Sequence, residues 1–175
     1  MLSIRCIHDD PHEQAIIHEL VDLDLQYIPG ATTENMGSID YWSACKGADF
    51  KFIAEDNGHI VGYVSIYAIN QEGEKKVLDG TIDDTKLLGL LETNPKPNVL
   101  TVFYIVGAVV KPSHQRRGIA MDIITFARNY FASHAYVYEK IYGIAWSDGG
   151  EALLKKAGGR QIGFDVNNHP VYVIH

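Results

Sequence analysis

The spacing of hydrophobic positions changes several times along the chain, and each change marks an element. Leu2 to Cys6 is a short apolar run that predicts a first strand. From Pro11 to Leu25 the residues Ile16, Ile17 and Leu20, followed by Leu23 or Asp24, recur every three or four positions. That period predicts a helix, with proline in its first turn and Asp9, Asp10 and Glu13 near its positive end. Tyr27-Ile28-Pro29-Gly30 breaks it, and a shorter helix is expected within Glu34 to Lys46, stopped by Gly47. Phe50 to Glu55 and Ile60 to Ile69 are β-rich runs on either side of Asp56-Asn57-Gly58-His59, and Asn-Gly between such runs is a strong hairpin signal. On the second of these strands Val61, Tyr63, Ser65 and Tyr67 share one face and Gly62, Val64, Ile66 and Ala68 the other, with Gly62 marking a bulge.

Gln71 to Asn98 interrupts the pattern with polar residues, Gly73, Gly80, Pro95 and Pro97. Within it Leu87, Leu88, Leu90 and Leu91 predict a helix from about Asp83 to Glu92. Leu100 to Val110 then runs almost unbroken in apolar residues, as a strand buried on both faces does. Pro112 stops it, a polar, basic loop follows, and Gly118 opens a helix to about Phe131 on Ile119, Ile123, Phe126, Ala127 and Tyr130. Lys140 to Trp146 is the next strand, and Ser147-Asp148-Gly149-Gly150 leads into a helix from Glu151 to Ala157 closed by Gly158-Gly159. Arg160 to Asp165 and Pro170 to His175 make a last hairpin across Asn167-Asn168. No internal repeat appears. The order is βααββ, insertion, βαβαββ, which reads as a single domain over residues 1–175 with an insertion at about 71–98.

Composition adds two boundaries. No apolar run approaches the roughly 20 residues that span a bilayer, and Met1-Leu2-Ser3-Ile4-Arg5 lacks a secretory apolar segment. Cys6 and Cys45 form neither a metal-type nor a redox pair, so a reducing cytoplasm is the expected home. His8, His12 and His18 lack a further ligand at a defined spacing and are expected to be surface or capping histidines, with no metal. The net charge of −7 disfavours nonspecific nucleic-acid binding. The charge is also unevenly spread: residues 1–70 hold eleven acids and three bases, whereas residues 100–175 hold five acids and eight bases. A basic C-terminal half suits an anionic cofactor, and an acidic N-terminal half suits a cationic acceptor.

The chemistry concentrates where the central strand meets the next helix. Backbone N–H groups at a helix start have no intrahelical partner and carry partial positive charge, so strand, basic loop and helix start together make an anion site. Gln115-Arg116-Arg117-Gly118-Ile119-Ala120, preceded by Val110-Lys111-Pro112, resembles the pyrophosphate loop of the GNAT superfamily of acetyl-CoA-dependent N-acetyltransferases, whose pattern is Gln/Arg-x-x-Gly-x-Gly/Ala. The order of elements is similar to the GNAT fold over essentially the whole chain, and the motifs are specific from about residue 100 to 160. The resemblance implies an α+β, three-layer fold: a mixed, twisted sheet of six or seven strands flanked by about four helices.

It also implies roles. The amides from Gln115 to Ala120 would cup the pyrophosphate of acetyl-CoA, with Arg116 and Arg117 adding charge and Gly118 and Ala120 permitting close approach. Ala108, Val109 and Val110 would pair with the pantetheine amides, and the Val110 N–H would hold the oxyanion. Ser147 stands where the family often has an Asn that bonds the cofactor arm. Tyr27, Tyr41 and Trp42 would line the acceptor pocket, and the insertion would cover that pocket or make a subunit contact in a homodimer. Two family features are missing. The usual tyrosine acid is replaced by Leu154, and Leu100 to Val110 contains no Asp, Glu or His to act as base. Tyr142 and Tyr104 are the substitutes expected to protonate the leaving thiolate. The reading is an N-acetyltransferase acting by direct attack of a primary amine on a small, cationic acceptor. The alternatives are a noncatalytic acyl-CoA-binding regulatory module and a protein N-terminal or lysine acetyltransferase.

Overall fold

The structure, a computed structural model, describes residues 1–8, 10–28 and 30–175, and at residues 35 and 36 the backbone only. Asp9 and Pro29, read above as a helix-start acid and a helix breaker, lie outside the described residues. Among the described residues seven strands form one sheet in the order β1-β2-β3-β4-β5-β7-β6. They are β1 (Leu2–Cys6), β2 (Asp49–Asp56), β3 (His59–Ile69), β4 (Leu100–Val110), β5 (Val137–Ile144), β6 (Arg160–Phe164) and β7 (Pro170–Ile174). Every neighbouring pair is antiparallel except β4 and β5, which are parallel and joined by a helix, as a parallel connection requires.

The helices are α1 (Glu13–Tyr27), α2 (Thr33–Met36), α3 (Ile39–Ala44), α4 (Gln71–Leu78), α5 (Ile119–Ser133) and α6 (Asp148–Lys156). One face of the sheet packs Phe52, Val64, Ile66, Phe103 and Ile141 against Ile123 and Phe131 of α5 and Leu154 of α6. Phe103 and Phe131 stack with ring centres 4.6 Å apart. The other face packs Tyr67, Tyr104 and Tyr142 against Ile17 and Val21 of α1, Trp42 of α3 and Leu87 of the insertion. The three-layer arrangement expected from sequence is present.

Several local expectations are corrected. The single helix within Glu34 to Lys46 is two, because Gly37 sits between them at φ +86°. The helix expected over Asp83 to Glu92 is instead two 3-10 turns, Asp84–Lys86 and Leu88–Leu90. Leu87, which joins them, and Leu90 and Leu91 are buried while Leu88 is exposed; Leu87 and Leu90 are three apart, a spacing that suits the tighter helix. The insertion's α-helix is α4, started by Asn70, whose side chain accepts the Gly73 N–H at 3.0 Å. Its apolar stripe is only Gly73 and Val77, too short to stand out of a polar sequence. The bulge expected at Gly62 falls beside it. Ala54 pairs with Gly62 and Glu55 with Ile60, so Val61 is the extra residue and packs on the α5 face, away from Tyr63. His8 is no surface histidine: its ring stacks on Phe50 at 4.6 Å, and Nδ1 lies 2.9 Å from the Asp49 carbonyl oxygen. His12 precedes α1 without a side-chain cap, and Asp10 accepts the His12 N–H instead.

Candidate active site

The pairing of β4 with β5 runs from Leu100 beside Val137 to Ile105 beside Gly143, and β4 continues to Val110 beyond it. A second irregularity opens the strands further. Ser65 pairs with Gly107 and Ile66 with Ile105, which leaves Val106 as an extra residue on β4. A bulge bends its strand and re-aims the residues after it. The result is a cavity of about 410 Å³ that runs from under α1 to the start of α6.

One end of the cavity is built from backbone. Lys111 N–H donates to the Val61 carbonyl at 2.8 Å, so strand alternation turns the amide groups of Ala108 and Val110 away from β3, into the gap. The Val110 carbonyl accepts Nε2 of Gln115 at 2.9 Å, which ties the loop to the strand end. Gly118 is the N-cap of α5 at φ +84°, a left-handed conformation that glycine adopts without strain. No side chain caps this helix, whereas Ser147 caps α6 by accepting the Gly150 N–H at 3.1 Å. The first turn of α5 therefore presents its amides and positive dipole end beside exposed Arg116 and Arg117. Acetyl-CoA fits such a cradle: the loop answers an anion, and the open β4 edge answers an amide-bearing arm.

The other end is built from side chains. Asp24 of α1 is buried and accepts a hydrogen bond from the Tyr63 hydroxyl. Burial pushes its carboxyl up to about 6, against the opposing pull of the tyrosine hydrogen bond. The Tyr63 hydroxyl lies over Gly107, where a Cβ would sit 3.0 Å from it, so glycine gives the hydroxyl room beside the bulged backbone. Asp84 enters from the insertion. Its Oδ1 accepts the Tyr104 hydroxyl at 2.9 Å, and burial of that carboxyl pushes it up to about 7. Lys51 of β2 is buried and paired with Asp49, and desolvation lowers its ammonium to about 8.

The sequence matches the Acetyltransferase (GNAT) family over residues 17–158. The chain belongs to this family. It is an acetyltransferase, with acetyl-CoA as its cosubstrate. Among curated proteins none matches the chain. Solved structures share the fold. Arabidopsis thaliana NAA60 in complex with acetyl-CoA superposes with a TM-score of 0.63 at 15% identity, covering 99% of this chain and 97% of that one. The ribosomal-protein-S18-alanine N-acetyltransferase of Escherichia coli gives 0.61 at 9% identity, covering 99% and 91%. The aminoglycoside acetyltransferase HMB0005 from an uncultured soil metagenomic sample gives 0.61 at 20% identity, covering 95% and 97%.

The positions expected to serve this acetyltransferase fall into three groups. Ala108, Val109, Val110, Gln115 and Ser147 line the cavity, as do Tyr27, Trp42 and Tyr104. Arg116, Arg117, Gly118, Ile119 and Ala120 form the loop and helix start next to Gln115, with the Ile119 side chain buried in the core and its backbone at the first turn. Tyr142 and Tyr41 are not among the residues that line the cavity. The Tyr142 hydroxyl donates to Glu74 of α4 at 2.8 Å. The Tyr41 hydroxyl donates to the Asp84 carbonyl and accepts the Leu87 N–H, each at 2.7 Å. Tyr142 thus fastens the insertion to the sheet, and Tyr41 fastens it to α3. Leu154 lines the cavity and packs on Gly143, where a Cβ would come within 2.8 Å of it.

Asp24, Lys51, Tyr63 and Asp84 were not singled out as site residues from the sequence. A signal existed for three of them. Asp24 occupies an apolar-stripe position of its helix, Lys51 stands inside the apolar run Phe50-Lys51-Phe52, and Tyr63 shares a face with Tyr67. Nothing in the polar insertion marks Asp84. Among the described residues there is no cluster of metal-ligand type, and no helix long and apolar enough to cross a membrane.

Proposed function

We propose that the protein transfers the acetyl group of acetyl-CoA to the primary amine of a small, cationic acceptor. The observation that carries this reading is the Asp24–Tyr63 pair resting on the bulged backbone at Gly107, where β4 and β5 part. Acetyl-CoA supplies an activated acyl carbon. The amides from Gln115 to Ala120 and the open edge of β4 at Ala108 and Val110 bind and orient it, and the Val110 N–H donates to developing negative charge on the acyl oxygen.

Asp24 is the base in this reading. A carboxyl near 6 is largely ionised at neutral pH, yet basic enough to take a proton from an approaching ammonium. Tyr63 holds it in place. Asp84 adds a second carboxylate facing the same cavity, which favours a cationic acceptor. Tyr104, with its hydroxyl on Asp84, is the tyrosine of the original pair that reaches the cavity and can return a proton to the thiolate. Asp84 brings the 3-10 turns onto Tyr104 at the cavity, and in this reading the insertion covers part of the acceptor side there. That cover favours a small acceptor over a protein chain.

The test is steady-state acetyl transfer to a panel of small amines by the wild type and Asp24→Asn. The reading expects turnover by the wild type that rises through about pH 6 as Asp24 ionises, and a variant that binds acetyl-CoA normally but turns over slowly. Equal turnover by the two proteins would sink Asp24 as base.

A further inference from the structure

Among the described residues three buried side-chain polar atoms have no hydrogen-bond partner: Ser43 Oγ, Asp49 Oδ1 and the Tyr67 hydroxyl. Two of the three fall together, because Asp49 and Tyr67 are register partners on β2 and β3. Tyr67 is fully buried and lines the cavity. Lys51, the next residue on the same face of β2, places its Nζ 5.5 Å from the centre of the Tyr67 ring and also lines the cavity. One of its three N–H groups is taken by Asp49. A buried hydroxyl without a partner is costly, and a phenylalanine would fill the same space without that cost. Tyr67 stands in the cavity wall with its unmatched donor buried behind that wall, near a buried ammonium, and the two groups together are the complement of an oxygen atom that arrives with a ligand.

We propose that Lys51 and Tyr67 form a subsite for a carbonyl oxygen of the acceptor, so that the substrate is an amine that also carries an amide or ester carbonyl. This rests on the acetyltransferase reading above and narrows its acceptor class. The ammonium end of such a molecule faces the carboxylates Asp24 and Asp84, and its carbonyl faces the two donors. A neutral carbonyl suits the site better than a free carboxylate. The Asp49–Lys51 pair is balanced, so an added anion would meet two further carboxylates in the same cavity. A plain alkylamine or polyamine leaves Tyr67 unmatched.

The experiment is calorimetric titration of the CoA-loaded full chain with glycinamide, β-alaninamide and 4-aminobutanamide, each against the alkylamine of equal length: propylamine, butylamine and pentylamine. β-Alanine is the carboxylate control. At least one amide is expected to bind about tenfold more tightly than its alkyl match, the ratio that one well-made buried hydrogen bond supplies. In Tyr67→Phe that advantage falls below about threefold, while the melting temperature of the free protein is unchanged or higher, since an orphaned hydroxyl is gone. An advantage that is absent in the wild type, survives Tyr67→Phe, or is larger for β-alanine than for its amide overturns the proposal. So does a lower melting temperature, which would reveal an internal partner for the hydroxyl. A direct titration with acetyl-CoA separates the two levels: if the wild type does not bind it, the acetyltransferase reading fails, whereas normal acetyl-CoA binding with no carbonyl preference removes the subsite alone.

Discussion

At the end of the cavity nearest Gln115 the wall is the backbone of one strand, with the start of α5 next to it, whereas beneath α1 the polar groups are side chains drawn from α1, β2, β3, β4 and the insertion. The first end is continuous in sequence, from Ala108 to Ala120. The second is assembled from Asp24, Lys51, Tyr63, Tyr67, Asp84 and Tyr104, drawn from four secondary-structure elements and the insertion. Backbone recognition needs a conformation, and it tolerates many side chains provided that Gly118 can hold φ +84°. Side-chain recognition needs identities, and here it needs them in pairs: Asp24 with Tyr63, Asp84 with Tyr104, Lys51 with Asp49. A cosubstrate common to a family can therefore be held by a recurrent loop, while the acceptor is chosen by residues that no short motif contains.

The sharpest break between the two ends is expected from Asp24→Asn. Its turnover number at pH 7 should fall by about 100-fold or more, the scale of general-base contributions, with acetyl-CoA affinity unchanged by calorimetry. The same variant reports on stability. Burial raises the Asp24 pKa in the folded state, so its favourable contribution is complete below the ordinary carboxylate pKa and is lost as pH rises through about 6. Between pH 4 and 8 the wild type should lose roughly 3 kcal/mol that Asp24→Asn retains, as read by urea unfolding at each pH.

Gly118→Trp should affect the opposite end. A residue with a side chain is strained in that left-handed conformation by about 1–2 kcal/mol and would crowd the helix start, so acetyl-CoA binding should weaken by at least about tenfold. Equal acetyl-CoA affinity for wild type and variant would remove the loop from the site.

Tyr104→Phe should lower kcat, because the leaving thiolate loses its proton donor, and should add a smaller, pH-dependent effect on binding. The tyrosine hydrogen bond lowers the Asp84 pKa, so its loss raises that pKa above about 7 and leaves more of the carboxyl protonated at neutral pH. KM for a cationic amine should rise about fivefold at pH 7 and recover at pH 9, which reports a weakened charge contact on the scale of a partly exposed pair. The smallest effect is expected from Tyr142→Phe. It removes a hydrogen bond to Glu74 outside the cavity, so kcat should stay within about twofold while unfolding free energy drops by about 1 kcal/mol. A large fall in kcat would return Tyr142 to the reaction.

Much of this molecule was legible before any coordinates. The strands from Phe50 to Ile69 and from Leu100 to Val110, the Asn57-Gly58 hairpin, the helix after Gly118 and the Gly158 cap all follow from local periods and turn chemistry, which act over a few residues. The helix start at Gly118 was legible for the same reason: glycine placement encodes its backbone conformation in sequence, and the phosphate-binding role proposed for it would reside in that conformation. The insertion was misread, because Leu87 and Leu90 answer to the sheet beneath them and not to the period of their own segment.

The acceptor end depended on tertiary structure throughout. A carboxylate in a sequence is an ordinary solvated acid. Asp24 and Asp84 become titrating groups near neutrality only because the fold desolvates them, against the opposing pull of the Tyr63 and Tyr104 hydrogen bonds. Tyr67 reads as one more strand aromatic until the register of β2 and β3 sets it beside Asp49 and Lys51 with its hydroxyl unmatched. Local spacing determines backbone conformation, and so the cofactor loop; desolvation and pairing between distant residues determine charge state, and these exist only once the chain has folded.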